Sequence, residues 1–433
     1  MSTKAESGLR NHRPEFVREN VDSDGDPTTP SDPSFEKPSD RVYNIDPGFG
    51  PGLEAERGLG DVDADEHEKG PEEHELTIEY ALQRWFVDSN ADPLDLAGDG
   101  VTRDSDGLLP NTHTFLDRED KGTVAAMSTV EGQVNGKSGA TGKLTRIFTV
   151  GKGGKIADVT LTVDPGDQQP ARVEVTYQFE KMRRYQVDQP DSETLHVQST
   201  DSNDTSQTLT IEDDGANTTE DISLNGTTAV ATTSNFDDID VLELDAETDG
   251  DIEVYDDDAG SPGELLAVLD GADSYDGIEG DHGIPALGSG SRASAIGNDY
   301  LRTLTDSITR GGSSDYWFEI NSKELSIDNG LSTQMRDDSL RMRIQEGTRE
   351  TEMSVSTYGE TQSYTDIRRS LTNDGADIVW TFPDVTTGQG TITLSTAKLT
   401  DPGTGPYEAE QSQMTIDETF APEGGGTSAL TIA

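Results

Sequence analysis

Apolar and polar residues trade places with a period of two along much of this chain. The swap is strict in Leu340-Arg341-Met342-Arg343-Ile344 and in Met353-Ser354-Val355-Ser356. It recurs in Trp317-Phe318-Glu319-Ile320 and Glu324-Leu325-Ser326-Ile327, and is cleanest in Arg172-Val173-Glu174-Val175-Thr176-Tyr177-Gln178-Phe179. Such alternation predicts strands with one buried face. Strands are likewise predicted at 113–116, 144–150, 158–163, 390–395, 413–416 and 430–432. Gly151-Lys152-Gly153-Gly154-Lys155 reads as a hairpin turn joining two of them. Asp328-Asn329-Gly330 and Asn373-Asp374-Gly375 are turn chemistry, because Asn and Gly tolerate positive φ. Residues 76–87 fit either an edge strand or an amphipathic helix with Leu76, Tyr80 and Val87 on one face. Helices are expected over 298–309, where Leu301, Leu304 and Ile308 have helical spacing, and over 364–371.

The pattern divides the chain into four segments. Residues 1–74 are rich in Pro, Gly, Asp and Glu and have little to bury, so no autonomous fold is expected there. They read as a tail, or as an arm that orders along a neighbouring subunit through Tyr43, Ile45, Phe49 and Leu53. Residues 75–187 and 291–433 are two strand-rich bodies, read as parts of one scaffold or as tandem domains. Between them, residues 188–290 carry no Lys or Arg at all. Short Thr-rich strands recur there at a spacing that suits a small β-sandwich. Gly283-Ile284-Pro285-Ala286-Leu287-Gly288-Ser289-Gly290 reads as its exit linker.

Charge changes this picture. The 433 residues hold 86 acids against 32 Lys and Arg, a formal net charge of −54. Such self-repulsion opposes a compact state in dilute buffer. In molar salt, where the Debye length falls to roughly 3 Å, it is tolerable. Arg outnumbers Lys about two to one. The balance points to a haloarchaeal chain or to that of a virus of such a host. The absence of Cys excludes disulfides and thiol catalysis. No apolar run opens the chain, and none approaches the about 18 residues of a membrane span, so neither a secretory signal nor a membrane partner is expected.

Candidate chemistry is sparse. Asp237-Asp238-Asp240 and Asp256-Asp257-Asp258 offer oxygens of the kind calcium takes, without EF-hand spacing. In so acidic a chain, solvated surface accounts for both. The six histidines (His12, His67, His74, His113, His196 and His282) show no zincin spacing. No Gly-x-Ser-x-Gly elbow occurs, and the Gly151 to Lys155 run is no P-loop, since Ile156 leads into a strand. No catalytic, cofactor-binding or metal-binding residue is therefore assigned, and no enzyme is expected. Three Asn-x-Ser/Thr triplets start at Asn203, Asn217 and Asn225. Arg183 and Arg184 form the densest basic cluster, and Arg341, Arg343, Arg349, Arg368 and Arg369 form another group. Nucleic-acid contact is one reading. At −54 tight DNA binding is disfavoured, and bidentate ion pairs between acidic subunits are the expected use of these seven arginines.

One resemblance rests on Leu325-Ser326-Ile327-Asp328-Asn329-Gly330-Leu331, on Ile344-Gln345-Glu346-Gly347-Thr348-Arg349-Glu350 and on Met353-Ser354-Val355-Ser356. This order of strands and turns resembles the major tail tube proteins of siphovirus-like tailed viruses, over about a third of the chain. It implies a mainly β fold, a tail-tube-type sandwich or barrel scaffold with short helices, carrying an inserted immunoglobulin-like module. It also implies a virion structural protein, assembled in the host cytoplasm, that stacks in rings to conduct DNA. Its partners would be copies of itself, other tail proteins, and double-stranded DNA in passage without specific binding. The alternatives are a tail-tip receptor-binding protein and a capsid decoration protein.

Overall fold

The computed structural model describes residues 42–49, 74–81, 144–164, 171–213, 218–246, 248–269, 306–312, 320–336, 339–345, 347–348, 350–358, 375–384, 388–401 and 415–423. It also gives the backbone of strands at 10–18, 20–21, 27–28, 53–56, 66–69, 124–133, 282–284 and 430–432.

The first strands are β1 (Arg10–Arg18), β2 (Asn20–Val21), β3 (Pro27–Thr28), β4 (Val42–Phe49), β5 (Leu53–Glu56), β6 (Glu66–Lys69) and β7 (His74–Ala81). Next come β8 (Val124–Gln133), β9 (Leu144–Val163), β10 (Arg172–Gln178) and β11 (Lys181–Asp188). The cation-free segment holds β12 (Leu195–Ser199), β13 (Thr208–Asp213), β14 (Thr218–Ser223), β15 (Val230–Ala231), β16 (Ile239–Leu244), β17 (Ile252–Asp257), β18 (Pro262–Leu269) and β19 (His282–Ile284). The last body holds β20 (Ser307–Arg310), β21 (Ile320–Asp328), β22 (Ser332–Arg336), β23 (Ser339–Gln345), β24 (Glu350–Tyr358), β25 (Ala376–Asp384), β26 (Gly388–Asp401), β27 (Thr415–Pro422) and β28 (Leu430–Ile432).

The expected barrel with short helices is overturned. Fourteen strands form one open sheet with a main path β20-β25-β26-β27-β24-β21-β9-β10-β7-β4, whose two end strands do not pair with each other. Alternation specifies which face of a strand is buried but not whether a sheet closes, and closure needs matched tilt and stagger. No helix occurs among the described residues. The expected helix at 298–309 ends instead in β20, where Ser307-Ile308-Thr309-Arg310 pairs with residues 378–381 of β25. Its β-branched residues suit a pleated surface better than a helix. Residues 298–305 and the expected helix at 364–371 lie outside the described residues, as does the strand expected at 113–116.

Three other expectations change. Residues 74–81 form neither an edge strand nor a helix: β7 lies between β10 and β4. Residues 82–87 lie outside the described set. β4, from the acidic N-terminal segment, docks on this chain's own β7 and buries Ile45. Part of the expected exit linker is β19, which pairs with β16.

The glycine-rich run is no hairpin. β9 continues through it, and β10 and β11 follow one another along β9, from Arg172↔Thr162 to Asp188↔Thr145. The interruption falls in the partner, at Phe179-Glu180. There Phe179 N donates to the His74 carbonyl at 3.0 Å. A Cβ on Gly151 would lie 2.6 Å from the Phe179 ring, and Gly153 holds φ 65° beneath Glu180. The glycines serve this close crossing of chain over chain, a known use of glycine within strands.

β9 also links two cores. Its C-terminal half supplies Ile156, Val159, Leu161 and Val163 to a large core with Tyr80, Val175, Leu325, Val355, Trp380 and Phe420. Its N-terminal half supplies Phe148 and Val150 to a second core, with Tyr185 and Val187 of β11. The rest of that core comes from two four-stranded sheets, β15-β12-β17-β18 and β14-β13-β16-β19. The small module is thus completed by scaffold residues.

Candidate functional site

The face of the large sheet opposite its core is a wall of acids and hydroxyls. The ladders place Glu350, Asp328, Asp158, Thr176, Thr77 and Asp46 in one row across β24, β21, β9, β10, β7 and β4. The next row runs Glu352, Ser326, Thr160, Glu174, Glu79 and Asn44. These positions alternate with the buried ones, and all of them stay exposed or half-buried. Arg172 is one cation on this face. It pairs with Glu79 at 3.1 Å and lies 4.6 Å from the centre of the Tyr43 ring. Like charges directly opposite across a ladder repel. Desolvation, then the charges of Asp328 and Glu75, pushes the Asp158 carboxyl above its ordinary range, although its side chain reaches solvent.

A second polar cluster sits at the seam between the ladder and the module. Arg146 is an inward residue of β9, in step with Phe148 and Val150. Its guanidinium reaches Asp240 at 2.6 Å, the Ile239 carbonyl at 3.3 Å, and Asp238. The Gln189 side chain binds Ile239 like a strand: Ile239 N donates to Oε1 at 2.6 Å, and Nε2 donates to the Ile239 carbonyl at 3.2 Å. Thr145 donates to Asp188 at 2.7 Å. The module is therefore clamped to the ladder by charge as well as by its shared core.

Four of the seven arginines expected at subunit contacts lie on described strands, in two separate elements. Arg183 and Arg184 lie on β11, Arg184 exposed and Arg183 half-buried. Arg341 and Arg343 lie on β23, in a separate two-stranded ribbon with β22. Arg349, Arg368 and Arg369 lie outside the described residues.

The two acidic clusters are not free surface. Asp238 and Asp240 hold Arg146, while Asp213 accepts from Asp237 N at 2.8 Å and Asp238 N at 3.0 Å. Asp257 accepts from Gly260 N at 3.0 Å and lies 2.7 Å from Nε2 of the buried His196. Asp256 accepts from Glu264 N. Among the described residues, no group of three or more metal-ligating side chains gathers. Asn203 and Asn225 are exposed in the module, and Asn217 lies outside the described residues.

The buried charges were missed as sites, yet their signal is present in the sequence. Arg146, Arg310, Lys323 and Glu418 all occupy inward positions of alternating strands, in step with Phe148, Ile308, Leu325 and Phe420. Lys323 pairs with Asp306, and neither side chain sees more than a trace of solvent. A charge in step with apolar residues is a charge that the fold must bury and pair. In comparison with known proteins, this chain matches no family model and no curated sequence.

Proposed function

We propose that this chain is a virion structural protein: a tail tube subunit of a tailed virus with a halophilic host, acting through assembly and not catalysis. The observation that carries the proposal is the wide antiparallel sheet with one acidic, hydroxyl-rich face and open ends at β20 and β4. Open edges present unpaired backbone groups that another copy can satisfy. Copies joined into stacked rings with the acidic face inward would line a channel that repels phosphates, letting DNA pass without sticking. The sequence resemblance supports the same reading. The cation-free module then sits on the outside, clamped at the Arg146 seam. Virion assembly in the host cytoplasm follows from this role.

One observation favours a second reading. Leu265 and Val268, on strand β18 of the module, are the exposed large apolar side chains among the described residues. They suit an adhesive surface of a tail-tip or decoration protein.

Negative-stain imaging of the purified chain in molar salt separates the two. Long hollow polymers are expected of a tube subunit. Small closed oligomers that bind host envelopes would refute the tube and favour the second reading.

A further inference from the structure

Lys323 interrupts the inward apolar positions of β21, beside the large core. Its side chain is 3% exposed and that of Asp306 is 2% exposed. Lys323 Nζ stands 2.5 Å from Oδ2 of Asp306, and the same oxygen accepts the Trp380 indole N–H at 2.7 Å. The Trp380 ring, wholly buried, has its centre 5.8 Å from the Lys323 amine. An amine and a carboxyl held together, out of water and beside an aromatic wall, form a reactive arrangement as well as an ion pair.

We propose that Lys323 and Asp306 condense into an intramolecular amide, a covalent bolt between the approach to β20 and the centre of the sheet. The inference is independent of the tail-tube reading. Burial supplies the driving condition: desolvation lowers the Lys323 amine below its ordinary range, outweighing the opposing pull of Asp306. Along the contact between them, the ammonium gives one proton to the carboxylate, leaving a neutral amine and a carboxylic acid. The nitrogen then attacks Cγ. The C–N bond forms, and the bond from Cγ to Oδ2 breaks. Oδ2 leaves as water, carrying the acid proton and one amine proton, and the other amine proton remains as the amide N–H. Oδ1 stays as the amide oxygen, and the Trp380 N–H, bonded to Oδ2, stabilises that oxygen as it departs. No oxidant, reductant or further reactant is needed. Fixed proximity replaces an encounter that is slow between free groups in water.

The test is the intact mass of the full chain, purified from molar salt and then denatured. The expected mass is below that of the sequence by one water. Proteolysis should then give a branched peptide joining the segment with Asp306 to the segment with Lys323. A full sequence mass overturns the proposal and leaves a buried ion pair. So does a water loss whose fragments keep both residues in linear peptides. Lys323→Arg keeps a cation but removes the nucleophilic amine, and Asp306→Ala removes the acceptor carbon. Both variants are expected at full mass, and because the mass is read on denatured chain, neither has to fold. Persistence of the water loss in either variant would also overturn the assignment.

Discussion

The module and the large sheet use the same acidic residues in opposite ways. Lacking any cation of its own, the module satisfies its carboxylates with backbone N–H groups and hydroxyls. Asp204, 1% exposed, accepts from Ser199 Oγ, from Asp249 N at 2.8 Å and from Gly250 N at 3.1 Å. Glu220 gathers Thr233 N at 2.7 Å and Ser234 N at 2.8 Å, so that it ties two loop residues to β14. The large sheet leaves rows of acids facing outward, and buries Arg310, Lys323 and Glu418 among its inward positions. Acids in the module hold loops in place, whereas on the sheet they make a surface. The one guanidinium that the module buries, Arg146, is borrowed from the sheet. The lesson is that acidic composition in this chain serves two jobs, and hydrogen-bond partners distinguish them.

The largest expected effect breaks the link between the two regions. Arg146→Met keeps the bulk of the side chain but leaves Asp240, with a 9% exposed side chain, facing Asp238 without a cation. Removing one partner of a buried pair costs about 3–5 kcal/mol. Urea unfolding in molar salt should show that loss, with partial recovery on adding Asp240→Asn. An unchanged midpoint would mean that the seam is held by its apolar contacts alone. Those contacts also matter for any excision of the module. Cutting out residues 192–288 would expose Phe148, Val150, Tyr185 and Val187 and strand Arg146, so the scaffold needs polar replacements there to stay soluble.

A smaller effect of opposite sign is expected on the acidic face. Asp158→Asn removes one of the facing charges in the Asp158↔Asp328 pair, and should stabilise the chain by about 1 kcal/mol at low salt. In molar salt the gain should largely vanish through screening. The folded-state carboxyl of Asp158 is raised, so its charged form opposes folding. The gain therefore exists above the folded-state value and disappears as pH falls below the ordinary 3.8, where the acid is protonated in both states. Thermal unfolding across salt and pH reads this. A destabilised Asp158→Asn variant would place Asp158 among the holding acids.

The smallest effect belongs to Glu220, in the module. Partial burial pushes its carboxyl up, but hydrogen bonds from Thr233 and Ser234 outweigh that and hold it below the ordinary 4.5. A depressed carboxyl stabilises the fold above its unfolded value, and that contribution fades as pH falls through the folded value. Glu220→Gln should thus cost about 0.5 kcal/mol at neutral pH, discounted for its solvent contact, and nothing in strong acid. A cost that did not change with pH would show that Glu220 acts by shape and not by charge.

Much of the strand content was legible in the residues. The Arg172 to Gln178 alternation appears as a strand with Val173, Val175 and Tyr177 buried. The Asp328-Asn329-Gly330 turn forms with Gly330 at φ 56°, and Asn329 ties it to β9 through the Ile156 carbonyl at 2.9 Å. The glycine run at 151–155 misled, because turn composition is shared by hairpins and by strands that let another chain cross closely. The helical spacing near Ile308 misled over residues 307–309, because Leu304 and Ile308, four positions apart, share a face in either period.

Taken alone, the sequence determined which residues face inward, how acidic the outer face must be, and that charges such as Arg146 and Lys323 would need burial. Period-two patterning carries that information locally, one strand at a time. Only the tertiary structure decided that β9 serves two cores, that the sheet stays open, and that Lys323 meets Asp306 while Arg146 meets Asp238 and Asp240. Those outcomes depend on which strands become neighbours and in what register. Alternation leaves both open, since a strand presents the same buried face to any partner that can cover it.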